Sequence, residues 1–203
     1  MLASTRPRSR IFVRALALAI AGLALAGCGI NTIPTLQERA KASWSEVLNQ
    51  YQRRADLIPN LVETVKGYAA QESKVLTEVV EARAKATQVT LPPDILTNPD
   101  AFKKFQEVQG QLSGALARLL AVVENYPDLK SNANFLALQS QLEGTENRIA
   151  VARRDYIASV QEYNTEIKTI PGRWWRAFLY PDAEVMQNFS VPDEVTKTPQ
   201  VKF

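Results

Sequence analysis

The amino-acid sequence predicts an all-α fold, an antiparallel bundle of long helices of the four-helix type. Three observations predict it. Apolar and small residues recur at steps of three and four through three long stretches. Prolines and asparagines fall between those stretches, where they end one helix or cap the next. A helix with one apolar stripe cannot bury that stripe alone, so long stripes of this kind pack on each other.

The first stripe runs from Ile33 to Gln88, through Leu36, Ala40, Trp44, Val47, Tyr51, Ala55, Ile58, Val62, Val65, Ala69, Leu76 and Val79, with one gap at Glu72. Pro59 lies inside it, and a proline removes one backbone hydrogen bond and kinks or breaks a helix. The stripe keeps its phase across Pro59, so one long helix kinked there is the expectation. A break at Pro59 into a second helix, with Asp56 as its cap, is the alternative. Residues 89–99 (VTLPPDILTNP) read as a loop, and Asn98-Pro99-Asp100 as a cap, a first-turn proline and an acid at the dipole's positive end. The next helix extends to about Glu124 with Phe102, Phe105, Val108, Leu112, Leu116, Leu119 and Val123 inward, and residues 125–131 form a short break.

From Asn132 to Thr169 the stripe is Leu138, Leu142, Thr145, Ile149, Ala152, Tyr156, Val160, Tyr163, Ile167 and Ile170, stopped by Pro171-Gly172. Such a helix is about 55 Å long. Its heptad-like spacing also permits a coiled coil, and with it a homo-oligomer. Residues 171–180 form an aromatic bundle-end segment, and residues 181–203, with three prolines and little periodicity, read as an extended, partly disordered tail.

The first 27 residues carry Arg6, Arg8, Arg10 and Arg14 and no acid. Without them Lys+Arg falls from 24 to 20 against 21 Asp+Glu, and the formal charge moves from +3 to −1. The basicity therefore belongs to this segment, which removes the electrostatic case for binding nucleic acid. An apolar run, Ala15 to Leu25, follows the arginines and is too short to span roughly 30 Å of hydrocarbon as a helix. A basic region, an apolar region and small residues make a secretory signal peptide. Leu25, Ala26, Gly27 and Cys28 resemble the lipobox of bacterial lipoproteins, which implies cleavage after Gly27 and covalent diacylglycerol and acyl chains on Cys28. One acyl chain holds a protein marginally and two or three hold it firmly. The chain thus divides into a signal peptide ending in the lipobox (1–27), a lipidated cysteine with a short tether (28–35), the bundle (36–170), the aromatic segment (171–180) and the tail (181–203).

Two stretches are specific. One is Arg53-Arg54-x-Asp56-Leu57-Ile58-Pro59-Asn60-Leu61-Val62; the other contains Leu142-Glu143-Gly144-Thr145-Glu146-Asn147, Arg153-Arg154-x-Tyr156 and Tyr163-Asn164. Together, over roughly Leu36 to Ile170, they resemble the LemA family. The resemblance implies an all-helical bundle on the outer side of the cytoplasmic membrane, with no established enzymatic activity and no agreed catalytic residues. Members commonly carry a single N-terminal membrane helix, and this chain departs by ending that segment in a lipobox.

The residue inventory narrows the chemistry further. There is no histidine, and Cys28 is the only cysteine, so intrachain disulfides and Cys-His or Ser-His-Asp catalysis are excluded. Glu143 and Glu146 stand one turn apart and offer oxygen ligands, but surface glutamates paired with nearby arginines are the commoner arrangement, and no metal or cofactor-binding residue is assigned. A structural polar cluster is expected from Arg53, Arg54, Asp56, Glu146 and Arg153, with Arg54 or Arg53 meeting Glu146 across the bundle. Tyr51, Tyr68, Tyr156 and Tyr163 are expected in the core with satisfied hydroxyls. Trp174 and Trp175 have two readings, a cap on the core or a membrane interface flanked by Arg173 and Arg176. The functional expectation is a lipid-anchored extracytoplasmic scaffold or adaptor that binds other envelope proteins. A lipid-surface or membrane-remodelling protein is the second reading, and a carboxylate-dependent enzyme the third.

Overall fold

The computed structural model describes residues 29–190. The lipobox and Cys28 lie outside them, as do residues 191–203. The described residues form an all-α bundle of six helices: α1 Thr32–Lys66, α2 Ser73–Gln88, α3 Pro99–Val123, the single turn α4 Pro127–Lys130, α5 Ala133–Glu166 and α6 Gly172–Leu179. Helix starts follow the capping chemistry. The Asn98 side chain accepts from Ala101 N, and the Asn132 side chain from Asn134 N and Phe135 N.

The favoured expectation that the helix continues through Pro59 holds, but its extent to Gln88 and the alternative of a break at Pro59 need correction. α1 runs unbroken through Pro59, and the chain reverses eight residues later, at Gly67 and a 3-10 turn over Ala70–Glu72. Proline cannot donate to the carbonyl four residues earlier, here that of Ala55. Arg83 of α2 fills the vacancy, its Nε donating to Ala55 O at 2.8 Å. The orphaned carbonyl thus becomes a tie between α1 and α2 rather than a break.

α1 and α5 lie antiparallel along their whole length. Ser43 Oγ meets Ser159 Oγ at 2.9 Å, Arg148 donates to Gln50 at 3.3 Å, and Asn132 donates to Tyr68 Oη at 2.9 Å. α2 runs antiparallel to α1 and α3, with Arg118 on Glu78 at 3.2 Å. The order is up, down, up, down. α2, at 16 residues, spans less than half the length of the 35-residue α1. The bundle therefore has a distal half with four helices and a proximal half, nearer Gly29, with three. The distal core holds Ile58, Leu61, Val65, Leu112, Leu119 and Phe135. Full burial of each such side chain contributes about 1.5–3 kcal/mol.

In the proximal half the missing helix is replaced by irregular chain. Ile95 and Leu96 of the α2–α3 loop are buried, as are Ala183 and Met186 from residues expected to be a loose tail. That expectation is corrected for 181–190: the segment is extended but built in as a strap along α5. Asn164 bonds both the N and O of Met186 at 2.9 Å, Tyr156 Oη donates to Gln187 O at 2.8 Å, and Gln187 N donates to Leu96 O at 2.6 Å. Phe189 ends the strap among Phe102, Tyr156 and Trp44, with centroids at 5.1, 5.6 and 6.1 Å. Rings at these separations add attraction beyond the area they bury.

Candidate functional site, a groove floored by a buried arginine

α1, α3 and α5 each place a polar side chain where the two cores meet. On α1 the inward positions 40, 44, 47, 51, 54, 58, 61 and 65 alternate steps of four and three, which makes Arg54 a core position. It is 1% exposed. Its fork joins two walls. Nη1 donates to Glu146 Oε1 of α5 at 2.9 Å and to Ser113 Oγ of α3 at 2.7 Å, while Nη2 donates to Gln109 Oε1 at 2.7 Å and to Gln109 O at 3.3 Å. The guanidinium also lies 5.0 Å from the Tyr51 ring centroid. Burying a charge is costly unless it is paired and bonded, and here a half-exposed carboxylate and two α3 side chains do both.

Above this floor α3 and α5 stand apart and leave a groove of about 810 Å³. Lys103, Gln106 and Gly110 line one wall, Ile149 and Arg153 the other, and the strap from Gln187 to Ser190 closes its proximal end. Arg153 lies over Phe189, 4.4 Å from the ring centroid. The walls carry both signs, Lys103 and Arg153 against Glu107 and Glu146, so the groove has no single-signed field. Burial pushes the Tyr51 hydroxyl above its ordinary 10.0, against the pull of Arg153 and Arg54. A smaller hollow of about 490 Å³ lies between α2 and α3.

Of the expected polar cluster, the structure brings Arg54 and Glu146 together and sets Arg153 in the same groove. Arg53 and Asp56 are exposed, with Asp56 accepting from Gln52 at 2.7 Å, so neither belongs to the cluster. Gln109 and Ser113 were not anticipated. An apolar reading of α3 selects Val108 as the inward residue, whereas the alternation 102, 105, 109, 112, 116 passes through Gln109, which is buried while Val108 is only partly so. A polar residue at a heptad position was the available signal. Glu143 accepts from Gln139 at 3.0 Å, and Glu146 is engaged by Arg54. Tyr51, Tyr156 and Tyr163 are buried, but Tyr68, beyond the end of α1, is 46% exposed and leaves the core set. The tryptophan pair divides: Trp175 packs against the proximal core, and Trp174 faces outward.

A helical bundle with a charged residue at its centre and a strap replacing a fourth helix in its proximal half defines an all-α, groove-bearing class of domain. A family model described as the LemA family matches residues 43–203, and the chain belongs to that family. The match takes in the strap, which supports treating it as part of the domain. Among curated relatives, magnetosome protein MamQ 2 of Paramagnetospirillum magneticum is 29% identical over 189 residues, covering 84% of this chain and 69% of that protein. Magnetosome protein MamQ of Magnetospirillum gryphiswaldense is 28% identical over 157 residues, or 70% of this chain and 58% of that one. Protein LemA of Metamycoplasma hominis is 27% identical over 118 residues, or 58% and 49%.

Proposed function

We propose that this chain is a lipid-anchored extracytoplasmic adaptor of the bacterial envelope, which holds a segment of another envelope protein in the α3–α5 groove. The observation that carries the reading is the groove itself, which α3 and α5 leave open over a floor fixed by Arg54. Its lining of both signs, Lys103 and Arg153 with Glu107 and Glu146, suits an extended segment or a helix that carries charges of both signs. The anchor would be the acyl chains on Cys28, which the lipobox-like Leu25-Ala26-Gly27-Cys28 supports. No helix among the described residues is long and apolar enough to cross a membrane.

The test is photocrosslinking in intact cells. A crosslinking residue is placed at Gln106 in the groove, and for comparison at Gln111 in the α2–α3 hollow, each with Cys28 and with Cys28→Ser. The adaptor reading expects a defined adduct from position 106 that is absent from 111 and diminished by Cys28→Ser. No reproducible adduct at 106 in either background overturns it.

A further inference from the structure

Nine large apolar side chains stay exposed among the described residues, and four of them fall within ten residues: Ile170, Trp174, Phe178 and Leu179. The other five are scattered along the chain. Trp174 and Phe178 stand one turn apart on one face of α6, 54% and 81% exposed, and Ile170, just before the helix, is 64% exposed. Trp175, about 100° round the helix from Trp174, packs against the proximal core. α6 is thus seated on the bundle by one face and presents an apolar face outward.

Its place in the fold says what covers that face. α6 rests on α1, and a Cβ built at Gly29 would come 3.3 Å from Trp175 Nε1 and 3.9 Å from Pro171 Cγ. Gly29, the first described residue, therefore sits beside α6. A lipid on Cys28, or an uncleaved apolar Ala15–Leu25 run ending four residues before Gly29, would bring hydrocarbon to this end of the bundle.

We propose that the exposed face of α6 is a docking surface for the lipid bilayer that holds Cys28, a second contact that orients the bundle on the membrane. The proposal rests on the anchor reading above. Tryptophan favours the interface, where its ring is partly apolar and partly wet. α6 carries Arg173 and Arg176 and no acid, with Lys168 just before it and Asp182 and Glu184 after it on the strap. The local charge nearly balances, so apolar insertion rather than attraction to anionic headgroups is the expected source of binding.

The experiment uses the full lipidated chain reconstituted in phosphatidylcholine–phosphatidylglycerol vesicles, with and without bromine on the acyl chains. Flotation reads the anchor, and quenching of tryptophan emission by bromine reads the docking. Trp44, 5% exposed in the core, and Trp175, packed against the proximal core, supply the background emission. The expected result is flotation together with loss of the larger part of the Trp174 emission. Trp174→Phe should remove the quenchable component, and Ile170→Ser with Phe178→Ser should reduce it, both with unchanged circular dichroism. A chain that floats but whose emission bromine does not alter overturns the docking and leaves the anchor standing. A chain that does not float overturns both.

Discussion

Replacing Arg54 with lysine keeps the charge and most of the length but removes the fork. One guanidinium reaches both walls, with Glu146 and Ser113 on Nη1 and Gln109 on Nη2. A single ammonium reaches one wall or the other. The lost contacts are unequal. Ser113 and Glu146 are exposed to water, so releasing them costs less than about 1 kcal/mol each. Gln109 is 6% exposed, and a buried acceptor left without its charged donor costs about 1–3 kcal/mol. The expected loss for Arg54→Lys is therefore about 2–3 kcal/mol, which at this domain size lowers the melting temperature by roughly 4–12 °C. Glu146→Gln should cost only about 1 kcal/mol, because its carboxylate is half exposed and an amide oxygen still accepts from Nη1. Urea denaturation followed by circular dichroism measures both, and a cycle combining Arg54→Met with Glu146→Gln isolates their coupling. An Arg54→Lys protein with the parent's urea midpoint, or a coupling energy below about 0.3 kcal/mol, would refute the reasoning.

Three further outcomes are expected. Arg83→Met should destabilise the protein by about 1–2 kcal/mol by leaving Ala55 O buried and unpaired, whereas in a Pro59→Ala background, where residue 59 can donate, the same change should cost much less; equal losses in the two backgrounds would contradict the role given to Arg83. Phe189→Ala should cost about 2 kcal/mol, somewhat under the full-burial figure because the ring is partly exposed, and should weaken the near-ultraviolet dichroism of the aromatic cluster; an unchanged melting curve would mean that the strap is not held there. Burial raises the hydroxyls of Tyr51, Tyr156 and Tyr163 above 10.0. Each is neutral in both states below pH 10, so its stabilising contribution is intact there and is lost as pH rises from about 10 through the folded values. Urea midpoints should therefore fall above about pH 10, less steeply in Tyr156→Phe, and a profile that stays level to about pH 11 would sink the argument.

What could be read from the residues alone was whatever local chemistry determines. Asn98 and Asn132 cap helices because their side chains satisfy free backbone donors within three residues, and that is visible without a fold. The long stripes gave the bundle for the same reason. The reversal at residues 67–72 was hidden because Val65, Ala69, Leu76 and Val79 keep near-helical spacing across it, and two antiparallel helices sharing one core do not require a change of phase. Pro59 drew attention as the breaker, yet its penalty is met by Arg83, which comes from 24 residues further on. Arg54 and Glu146 could be suggested as partners, but Gln109 and Ser113 required knowing how α3 is rotated. The strap escaped because its burial has no period: Ala183, Met186 and Phe189 are held by Asn164 and Tyr156, and such pairings are tertiary.

The strap also sets an order of assembly. Ile33 and Phe189, more than 150 residues apart, belong to one core, whereas the distal core is complete once Leu142 has been made. As the chain emerges N-terminus first, the distal half has all its partners early and can consolidate as a unit. The proximal half must wait, with Trp44 and Phe102 uncovered, until residue 189 emerges. In that interval the emerging chain is most prone to aggregate, and a premature stop would leave a half-built domain with its aromatic residues exposed.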